Sequence, residues 1–409
     1  MNTQNKKPNI RFNQFKELWK VVKLDSISQK VKSKNINNSF ENVLTNSAEF
    51  GIVPQRDFFD KDIANLKSLS GYYVVQPNDF VYNPRISNKA PVGPIKANFL
   101  NITGVISPLY YVFRTQNIDV FFLAKYFDSS YWHKFMKLNG DTGARSDRFA
   151  IKDSVFKEMP IPFPSLAEQS AISTFFRNLD DLLSSYKDNL ANYQSLKVTM
   201  LSKMFPKAGQ TVPEIRLDGF EGEWELIKLG EVCDLITKGT TAKSQSEQGK
   251  VNFVKVENLK DNEIYSVVKI SEEEHLGSLK RSILFEGDIL FSIAGTLGRT
   301  AIVRNNVLPA NTNQALAIIR GYKLDAYFLL IVLSGEVVKD YIRKNPTVGA
   351  QPNLSLEQVS SLKIQAPSIE EQQAIGAYFS NLDNLINSHQ EKISQLETLK
   401  KKLLQDMFI

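Results

Sequence analysis

One long segment of this sequence is repeated. The segment from Pro164 to Phe205 returns as the segment from Pro367 to Phe408, at a constant offset of 203 positions and without a gap. A gap-free repeat of this length indicates that two parts of the chain share one local structure. The residues of the first copy that recur unchanged include Glu168, Gln169, Ala171, Ile172, Phe176, Asn178, Leu179, Asp180, Leu182, Leu196, Lys197, Leu201, Met204 and Phe205.

A second, shorter repeat opens each half. The residues from Pro8 (PNIRFNQFKELWKVVKL) align with those from Pro213 (PEIRLDGFEGEWELIKL) at an offset of 205. Proline, isoleucine, arginine, phenylalanine, tryptophan, lysine and leucine keep their places, whereas the residues between the opening and closing elements diverge almost completely. The sequence therefore predicts a duplicated frame that carries two different inserts, and hence a pseudo-twofold architecture.

The closing elements are predicted to be long helices. Ser165 with Glu168, and Ser368 with Glu371, form S-x-x-E capping boxes directly after a proline, a pattern typical of helix starts. Apolar residues then recur at spacings of three and four, and neither stripe is interrupted by glycine or proline after Gly376. A helix of about 40 residues is ~60 Å long. Such a length favours an antiparallel pair of helices, although each helix could also cover only its own domain.

Both inserts are predicted to be small α/β domains. Segments such as DFVYN and PLYYVFR in the first half, and DILFSIAG and ALAIIR in the second, predict strands. Helices are expected over residues 121–138 and 326–343. The expected fold is thus α/β (α+β), with two globular domains joined by two long helices that form an antiparallel coiled coil. The expected boundaries are 1–164 and 207–367 for the domains, and 165–206 and 368–409 for the helices.

Composition excludes several classes of protein. Of the 409 residues, 42% are hydrophobic and 23% are charged, as in folded domains rather than a disordered chain. The longest apolar run is far shorter than the ~20 residues that span a bilayer, so we expect a cytoplasmic protein. One cysteine and three scattered histidines offer neither a disulfide nor a metal-ligand spacing. The net charge of +6 fits a polyanionic partner, but it is weak evidence by itself.

Motifs that would indicate an enzyme are missing from the sequence. It contains no G-x-x-x-x-G-K-[ST] loop for nucleotide phosphates, no G-x-G loop for S-adenosylmethionine and no N-P-P-[YF] motif for a flipped base. It also lacks the D-x-K or E-x-K core of a metal-dependent nuclease. We therefore expect no catalytic residue in this chain and assign catalysis to partner proteins.

The sequence resembles the specificity (S) subunits of type I restriction-modification enzymes over essentially its whole length. The resemblance rests on the duplicated P-x-I-R openings, the P-S-[LI]-x-E-Q-x-A-I helix starts, NPRISNKAPVGPI in the first insert, and SIAGTLGRTAIV and GAQPNLSLEQV in the second. It implies that each insert is a target-recognition domain reading one half of a bipartite, asymmetric site in double-stranded DNA.

The resemblance also implies a set of partners. The helices would set the gap between the half-sites and dock two modification (methyltransferase) subunits, through which two restriction subunits could join. S-adenosylmethionine, ATP and Mg²⁺ would bind only to those partner subunits, so no cofactor is expected in this chain. A two-domain coiled-coil scaffold that binds proteins without DNA specificity stays as the alternative function.

Polar and basic residues in the loops of the inserts are the candidates for DNA contacts. Arginine can bond guanine O6 and N7 or grip phosphate, and asparagine and glutamine fit the N6/N7 edge of adenine. For any single residue, an ordinary role in a polar loop is about as plausible as a base contact. The candidates are Arg85, Lys89, Lys96, Arg145, Ser146 and Arg148 in the first domain, and Ser292, Thr296, Arg299, Asn311, Asn313, Gln314, Gln351 and Asn353 in the second.

Repeated residues of the frame are expected to have roles other than DNA contact. Trp19 and Trp224 hold the same place in both halves, which favours core packing over stacking on bases. The lysines at 400–402 are expected to be a solvated helix end. For four other residues a surface that binds partner subunits is as plausible as internal packing: Phe176, Asp180, Phe379 and Asp383.

Overall fold

The chain divides into two compact units. In this computed structural model, the first unit comprises residues 1–187 and 391–409, and the second comprises residues 188–390. Within the described part of the chain, no helix is both long enough and apolar enough to cross a membrane. The residues that the structure describes are 7–58, 66–142, 147–207, 209–243, 249–265, 267–344 and 353–409.

The first half of the sequence forms short strands and helices that end in one long helix. Its strands are β1 (Lys20–Lys23), β2 (Ser28–Lys30), β3 (Leu44–Ser47), β4 (Gly51–Pro54), β5 (Tyr73–Val75), β6 (Phe80–Tyr82), β7 (Ile95–Ala97), β8 (Gly104–Ile106), β9 (Tyr111–Thr115) and β10 (Pro160–Phe163). Its helices are α1 (Gln55–Phe58), α2 (Val120–Asp128), α3 (Tyr131–Asn139), α4 (Asp153–Phe156) and the long α5 (Leu166–Lys203).

The second half follows the same general order. Its strands are β11 (Glu225–Lys228), β12 (Cys233–Lys238), β13 (Val251–Val254), β14 (Leu259–Lys260), β15 (Glu263–Ile264), β16 (Val268–Ile270), β17 (Ile289–Ser292), β18 (Thr300–Ile302), β19 (Ala310–Thr312), β20 (Leu316–Tyr322) and β21 (Lys363–Ala366). Its helices are α6 (Glu272–Leu276), α7 (Ala326–Ser334), α8 (Glu336–Lys344), α9 (Leu356–Ser360) and the long α10 (Ile369–Asp406).

A four-stranded antiparallel sheet lies at the centre of each unit. Its strand order is β2-β9-β6-β7 in the first unit and β12-β20-β17-β18 in the second. These strands occupy equivalent places along the two halves of the sequence, so the two sheets share one topology. The strands predicted in DFVYN, PLYYVFR, DILFSIAG and ALAIIR are confirmed as β6, β9, β17 and β20. The internal repeat is therefore confirmed at the level of the fold.

A two-stranded ribbon ties the opening element of each half to the end of its insert. β1 pairs antiparallel with β10, with Lys20 opposite Phe163. β11 pairs with β21 in the same way, with Glu225 opposite Ala366. Because β10 and β21 end just before α5 and α10, the ribbon places each repeated opening beside the start of a long helix.

The remaining strands differ between the units. The first unit has the two-stranded sheets β3-β4 and β5-β8. The second has the three-stranded sheet β16-β13-β19, in which β13 and β19 run parallel, and the β14-β15 pair. These strands belong to the inserts, where the two halves of the sequence lose their similarity.

Each predicted helical stretch of the inserts is two helices. α2 packs against β7, and α7 packs against β17 and β18. The side chains of Asp119 and Asp325 cap these helices by accepting the N–H groups of Phe122 and Phe328. The stretch at 121–138 breaks after α2, and the stretch at 326–343 breaks at Gly335, where the backbone is extended.

The two long helices pair with each other in the first unit. Leu179 and Leu183 of α5 lie in one core with Leu403 of α10. Across this pair, the carboxylate of Asp180 lies 2.6 Å from the ammonium of Lys400. The beginning of α5 thus packs against the end of α10.

The same helices pair again in the second unit with their roles exchanged. Lys197, near the end of α5, lies 2.5 Å from Asp383, near the beginning of α10. Tyr193 of α5 makes an edge contact with His389 of α10, with ring centroids 5.2 Å apart. Residue numbers increase along α5 in the direction in which they decrease along α10, so the antiparallel pair is confirmed. The alternative in which each helix covers only its own domain is wrong, because each contributes to both units.

The repeated tryptophans lie in the cores of the two units. Trp19 is 1% exposed and Trp224 is 2% exposed. Each makes an edge contact with the phenylalanine just beyond a long helix: Trp19 with Phe408 at 6.4 Å and Trp224 with Phe205 at 5.8 Å between ring centroids. The prediction of core packing is confirmed, and the recurring terminal phenylalanines are explained by the same contacts.

The helix starts depart from the predicted capping boxes in one respect. The hydroxyls of Ser165 and Ser368 accept the N–H groups of the glutamates three residues on, at 3.3 and 3.4 Å. The glutamate carboxylates bind arginines of the openings rather than the backbone of those serines. The boxes are therefore half formed, because an arginine already occupies both oxygens of each carboxylate.

Candidate nucleic-acid interface

An Arg–Glu clamp fixes the opening of each half to the start of a long helix. In the first unit, Arg11 Nε and Nη2 donate to the two carboxylate oxygens of Glu168 at 2.6 and 2.7 Å. In the second, Arg216 binds Glu371 in the same way, at 2.9 and 2.6 Å. The hydrogen bond to Glu168 raises the pKa of Arg11 above its ordinary value, so this buried guanidinium stays charged.

The residue after each clamp glutamate fixes the insert. Gln169 Oε1 accepts the backbone N–H of Asp119 at 2.8 Å, just before α2. Gln372 Oε1 accepts the backbone N–H of Asp325 at 3.1 Å, just before α7. The repeated Glu-Gln pair therefore positions the opening and the insert, and its recurrence in the sequence was the signal for this role.

In the first unit, the candidate loops meet at one edge of the four-stranded sheet. β6 ends at Tyr82 and runs into the loop of residues 83–90, which carries Arg85 and Lys89. Arg85 pairs with Arg148 through an isolated antiparallel bridge, and Arg85 is exposed. The structure therefore brings Arg148 to the loop that carries Arg85 and Lys89.

Two cavities flank this loop. The aromatic cavity, of about 590 Å³, has Tyr82, Tyr111 and Phe156 among its lining residues. Burial, reinforced by the charges of Asp153 and Asp25, raises the pKa of Tyr111 to about 12. The hairpin cavity, of about 440 Å³, lies between the β3–β4 hairpin and the loop of residues 83–90. The edge thus offers both cationic side chains and concave surface.

Lys89 forms an exposed ion pair with Glu49. Its ammonium lies 2.6 Å from Glu49, and the two side chains are 63% and 52% exposed. An exposed pair of this kind contributes only about 0–1 kcal/mol to stability. The pair therefore holds the loop near the β3–β4 hairpin without burying the charge of Lys89.

Lys96 lies apart from this edge, in an internal network of charges. Lys96 binds Asp128 at 2.6 Å, and Lys125 binds both Asp128 at 3.2 Å and Asp180 at 2.9 Å. Burial opposes the charge of Lys125, yet the neighbouring carboxylates raise its pKa above the ordinary value. In this structure Lys96 ties β7 to α2, and its contact with DNA stays a prediction.

The second unit presents its candidates at the equivalent edge. β17 is followed by the loop of residues 293–299, which carries Thr296 and Arg299, both exposed. Ala294 of this loop pairs with Asn353 through an isolated antiparallel bridge. This bridge corresponds to the one between Arg85 and Arg148, because both join the loop after the equivalent strand to the segment before the last short helix.

A third segment joins this edge of the second unit. The backbone N–H of Ile293 donates to the carbonyl of Ala315 at 2.9 Å, which places the turn of Asn313 and Gln314 beside the loop. Gln314 is exposed, and its Oε1 accepts the hydroxyl of Thr241 at 2.6 Å. The structure thus gathers three separate candidate segments at one end of the sheet.

Two candidates of the second unit are buried. Ser292 is 0% exposed, and its hydroxyl donates to the carbonyl of Thr296 at 2.6 Å and accepts the N–H of Arg299 at 2.7 Å. Asn311 is also 0% exposed, and its amide donates to the carbonyl of Leu279 at 2.9 Å. These internal bonds favour structural roles, and contacts of these two side chains with DNA stay predictions. Arg145, Ser146 and Gln351 lie outside the described residues.

The four residues suggested for partner binding all have internal contacts. Phe176 and Phe379 are 0% and 1% exposed and lie in the cores. Asp180 and Asp383 each bind a lysine of the other long helix. Internal packing therefore accounts for all four, and their contact with partner subunits stays a prediction. Lys401 and Lys402 are exposed, as a solvated helix end predicts, whereas Lys400 takes part in one of these ion pairs.

Sequence reasoning missed the β3–β4 hairpin as part of the first edge. Asn46 of the hairpin donates to the carbonyl of Val81 at 2.7 Å, and Asn83 donates to the carbonyl of Asn46 at 2.9 Å. These buried amides hold the hairpin against the loop that carries Arg85. The turn SAEFG between two β-prone segments was a local signal for a hairpin, but its neighbour in space was not readable from the sequence.

The chain is similar in sequence to known proteins, and part of it matches a family model. Residues 221–398 match the family described as the type I restriction modification DNA specificity domain. The type I restriction enzyme MjaVIII specificity subunit of Methanocaldococcus jannaschii is 25% identical over 264 residues, which are 62% of each chain. The MjaIX specificity subunit of the same organism is 26% identical over 78% of this chain and 75% of its own length. The EcoBI specificity subunit of Escherichia coli is 25% identical over 60% of this chain and 57% of its own length.

The alignments with the MjaVIII and EcoBI subunits span less than two thirds of those relatives. Solved structures show the same fold over a larger share of this chain and of their own length. The type I restriction-modification S subunit from M. genitalium has a TM-score of 0.58 at 16% identity, covering 98% of this chain and 99% of that one. The HsdS subunit from Thermoanaerobacter tengcongensis has a TM-score of 0.51 at 18% identity, covering 95% and 96%. The chain is therefore similar in sequence to specificity subunits of type I restriction-modification systems, and it shares the fold of the solved ones.

Proposed function

We propose that this chain is the DNA-reading subunit of a type I restriction-modification enzyme, and that each unit reads one half of a bipartite, asymmetric site in double-stranded DNA. The observation that carries the proposal is the repeated edge. One frame presents, at the same end of the same sheet, a different set of side chains in each unit. A duplicated support with two unlike edges suits a reader of two unlike half-sites.

The side chains at the two edges differ in the bases that they suit. In the first unit, Arg85 and Arg148 can each bond guanine O6 and N7, and Lys89 can bind a neighbouring phosphate. In the second unit, Gln314 and Asn353 carry amides that fit the N6/N7 edge of adenine. We therefore expect guanine contacts in the first half-site and adenine contacts in the second.

The frame is the proposed dock for two modification subunits. Because the frame occurs twice, it offers two equivalent surfaces, one for each copy of a partner. Recurring apolar residues that stay exposed fit such a surface better than the buried Phe176 and Phe379. On the long helices they are Leu182 and Leu385, at 44% and 42% exposed, and Leu196 and Leu399, at 37% and 45%.

Catalysis is assigned to the partners. S-adenosylmethionine would serve the modification subunits, and ATP and Mg²⁺ would serve two restriction subunits that join through them. The absence of nucleotide, methyltransferase and nuclease motifs from the sequence supports this division. The relatives are themselves named specificity subunits.

The long helices are the proposed ruler between the half-sites. α5 and α10 have 38 residues each, so each is about 57 Å long at 1.5 Å per residue. Because the helices pair antiparallel, an insertion in one must be matched in the other. Four residues added after Leu190 and four after Ile393 should lengthen the tolerated gap while leaving both half-sites unchanged. Methylation mapping that showed an altered half-site would contradict the ruler.

The function is tested by combining the chain with its modification subunit. We expect the chain alone to bind DNA weakly, with affinity falling steeply as salt rises, and specific methylation to appear only in the complex. Methylome sequencing of cells with and without the chain should reveal one bipartite motif. A protein scaffold would instead show no DNA binding at low salt, and methylation of DNA by the purified chain alone would refute the division of labour.

A further inference from the structure

The hairpin cavity of the first unit has the size and walls of a ligand site. Its volume of about 440 Å³ falls within the roughly 300–1,000 Å³ of typical ligand pockets. One wall is the β3–β4 hairpin, and the other is the loop of residues 83–90. The hydrogen bonds of Asn46 and Asn83 and the ion pair of Lys89 with Glu49 hold the two walls together.

The lining combines neutral hydrogen-bonding groups with flanking charge. Ser47, Ser87 and Asn88 contribute hydroxyls and an amide, and Tyr110 contributes an aromatic ring. Arg85 and Lys89 stand at the same cavity and can take a phosphate. Neutral amides and hydroxyls, a ring for stacking and adjacent cations are the groups that recognise a nucleotide taken out of its stack.

A side-chain oxygen of Asn46, unpaired within the ranges that the structure describes, supports a ligand site independently of the size and lining of the cavity. The residue is 3% exposed, and its amide nitrogen is fully used by the carbonyls of Val81 and Pro94. Its Oδ1 is buried and has no donor among the residues that the structure describes. A buried acceptor without a donor is costly, so a site beside it favours a ligand that brings an N–H group.

We propose that the hairpin cavity receives one nucleobase of the first half-site, swung out of the duplex, with its amino group directed toward Asn46. The proposal rests on the proposed function, since it assumes that this edge contacts DNA. A base within the stack presents only its edge in a groove, whereas an open cavity between a hairpin and a loop can also contact the face of a base. A base bound in the cavity would be recognised by its shape as well as by the groups on its edge.

The test uses the complete complex of the chain with its modification subunits, bound to duplexes that carry its mapped site. 2-Aminopurine replaces each purine of the first half-site in turn, and a fluorescent cytosine analogue replaces each cytosine, leaving out the base that is methylated. We expect a several-fold rise in fluorescence on binding at one position, because a probe that leaves the duplex is no longer quenched by its neighbouring bases. The second half-site, labelled in the same way, provides the internal comparison.

The matched variants are Asn88→Phe and Asn101→Phe. Both asparagines are exposed, but Asn88 lines the hairpin cavity and Asn101 lines neither cavity. Asn88→Phe should abolish the fluorescence rise, and Asn101→Phe should leave it intact. Ser87→Leu fills the same cavity and replaces Asn88→Phe if that variant does not fold, as judged by its thermal unfolding.

The outcomes separate this proposal from the function on which it rests. Normal methylation without a fluorescence rise at any position would overturn the cavity and leave the DNA-reading function standing. A rise that survives the cavity-filling variants would also overturn it, because the base would then lie elsewhere. Loss of DNA binding and methylation in the unaltered complex would instead contradict the proposed function.

Discussion

Removal of the Glu168 carboxylate should destabilise the first unit strongly. In its Arg–Glu clamp, the side chains of Arg11 and Glu168 are 6% and 1% exposed. Beyond Glu168, the acceptor that Arg11 has within the described part of the chain is the carbonyl of Glu17, at 2.5 Å. Glu168→Ala therefore leaves a buried guanidinium nearly unpaired. Breaking a buried ion pair by removing one partner costs about 3–5 kcal/mol, and we expect that loss in the free energy of unfolding.

The clamp of the second unit provides the matched comparison. Arg216 is 15% exposed, and it also donates to the carbonyls of Gly222 at 2.5 Å and Glu221 at 2.9 Å. It thus keeps one more hydrogen bond than Arg11 when its carboxylate is removed. Because a hydrogen bond to a charged group is worth about 1.5–3 kcal/mol, Glu371→Ala should cost about 1.5 kcal/mol less than Glu168→Ala.

The assay is urea unfolding of the purified chain, with hydrogen exchange at the starts of α5 and α10 to locate the loss. The double variant Arg11→Met with Glu168→Leu removes both charges and should recover at least half of the stability that Glu168→Ala loses. A cost below about 1 kcal/mol for Glu168→Ala, the range of an exposed pair, would refute the reasoning. A double variant no more stable than the single one would refute it equally.

Three further outcomes are expected. Phe408→Ala should lower the unfolding free energy by about 3–5 kcal/mol in a thermal or urea assay, because the ring fills the core beside Trp19, whereas Ile409→Ala should cost less than half of that. Burial raises the pKa of Tyr111 to about 12. The stability that its neutral phenol contributes is therefore complete below pH ~10, the pKa of an unfolded tyrosine, and is lost as the pH rises through about 12. Tyr111→Phe should remove about 2 kcal/mol of this alkaline loss of stability. Lys89→Ala should reduce the slope of log affinity against log salt by about 1 in the complex, and an unchanged slope would show that Lys89 holds no phosphate.

The frame was readable from the sequence because it is repeated and periodic. The offset of 203 between Glu168 and Glu371 and the apolar stripes were enough to predict two long helices, their antiparallel pairing and the pseudo-twofold repeat of the units. The burial of Trp19 and Trp224 followed from the same repetition. Helix breaks at Gly335 and after α2 were missed, since short polar or glycine interruptions do not erase the apolar pattern around them.

The candidate site was only partly readable. Residue type singled out Arg85, Arg148 and Asn353, because their side chains suit bases and phosphates. The same reasoning also selected Ser292 and Asn311, whose side chains are used inside the second unit. Residue type reports what a side chain can bond, and only the surrounding atoms decide whether those bonds are already made.

The sequence by itself determined the duplicated frame, since helix periodicity and capping are local properties that a repeat displays twice. Only the tertiary structure decided which distant segments meet: the bridge between Arg85 and Arg148, the clamp between Arg11 and Glu168, and the hairpin that closes a cavity beside Asn46. Contacts of this kind depend on how strands are ordered in a sheet and on which buried charges and amides find partners. No spacing along the chain encodes those choices, because they are made between residues that the sequence keeps far apart.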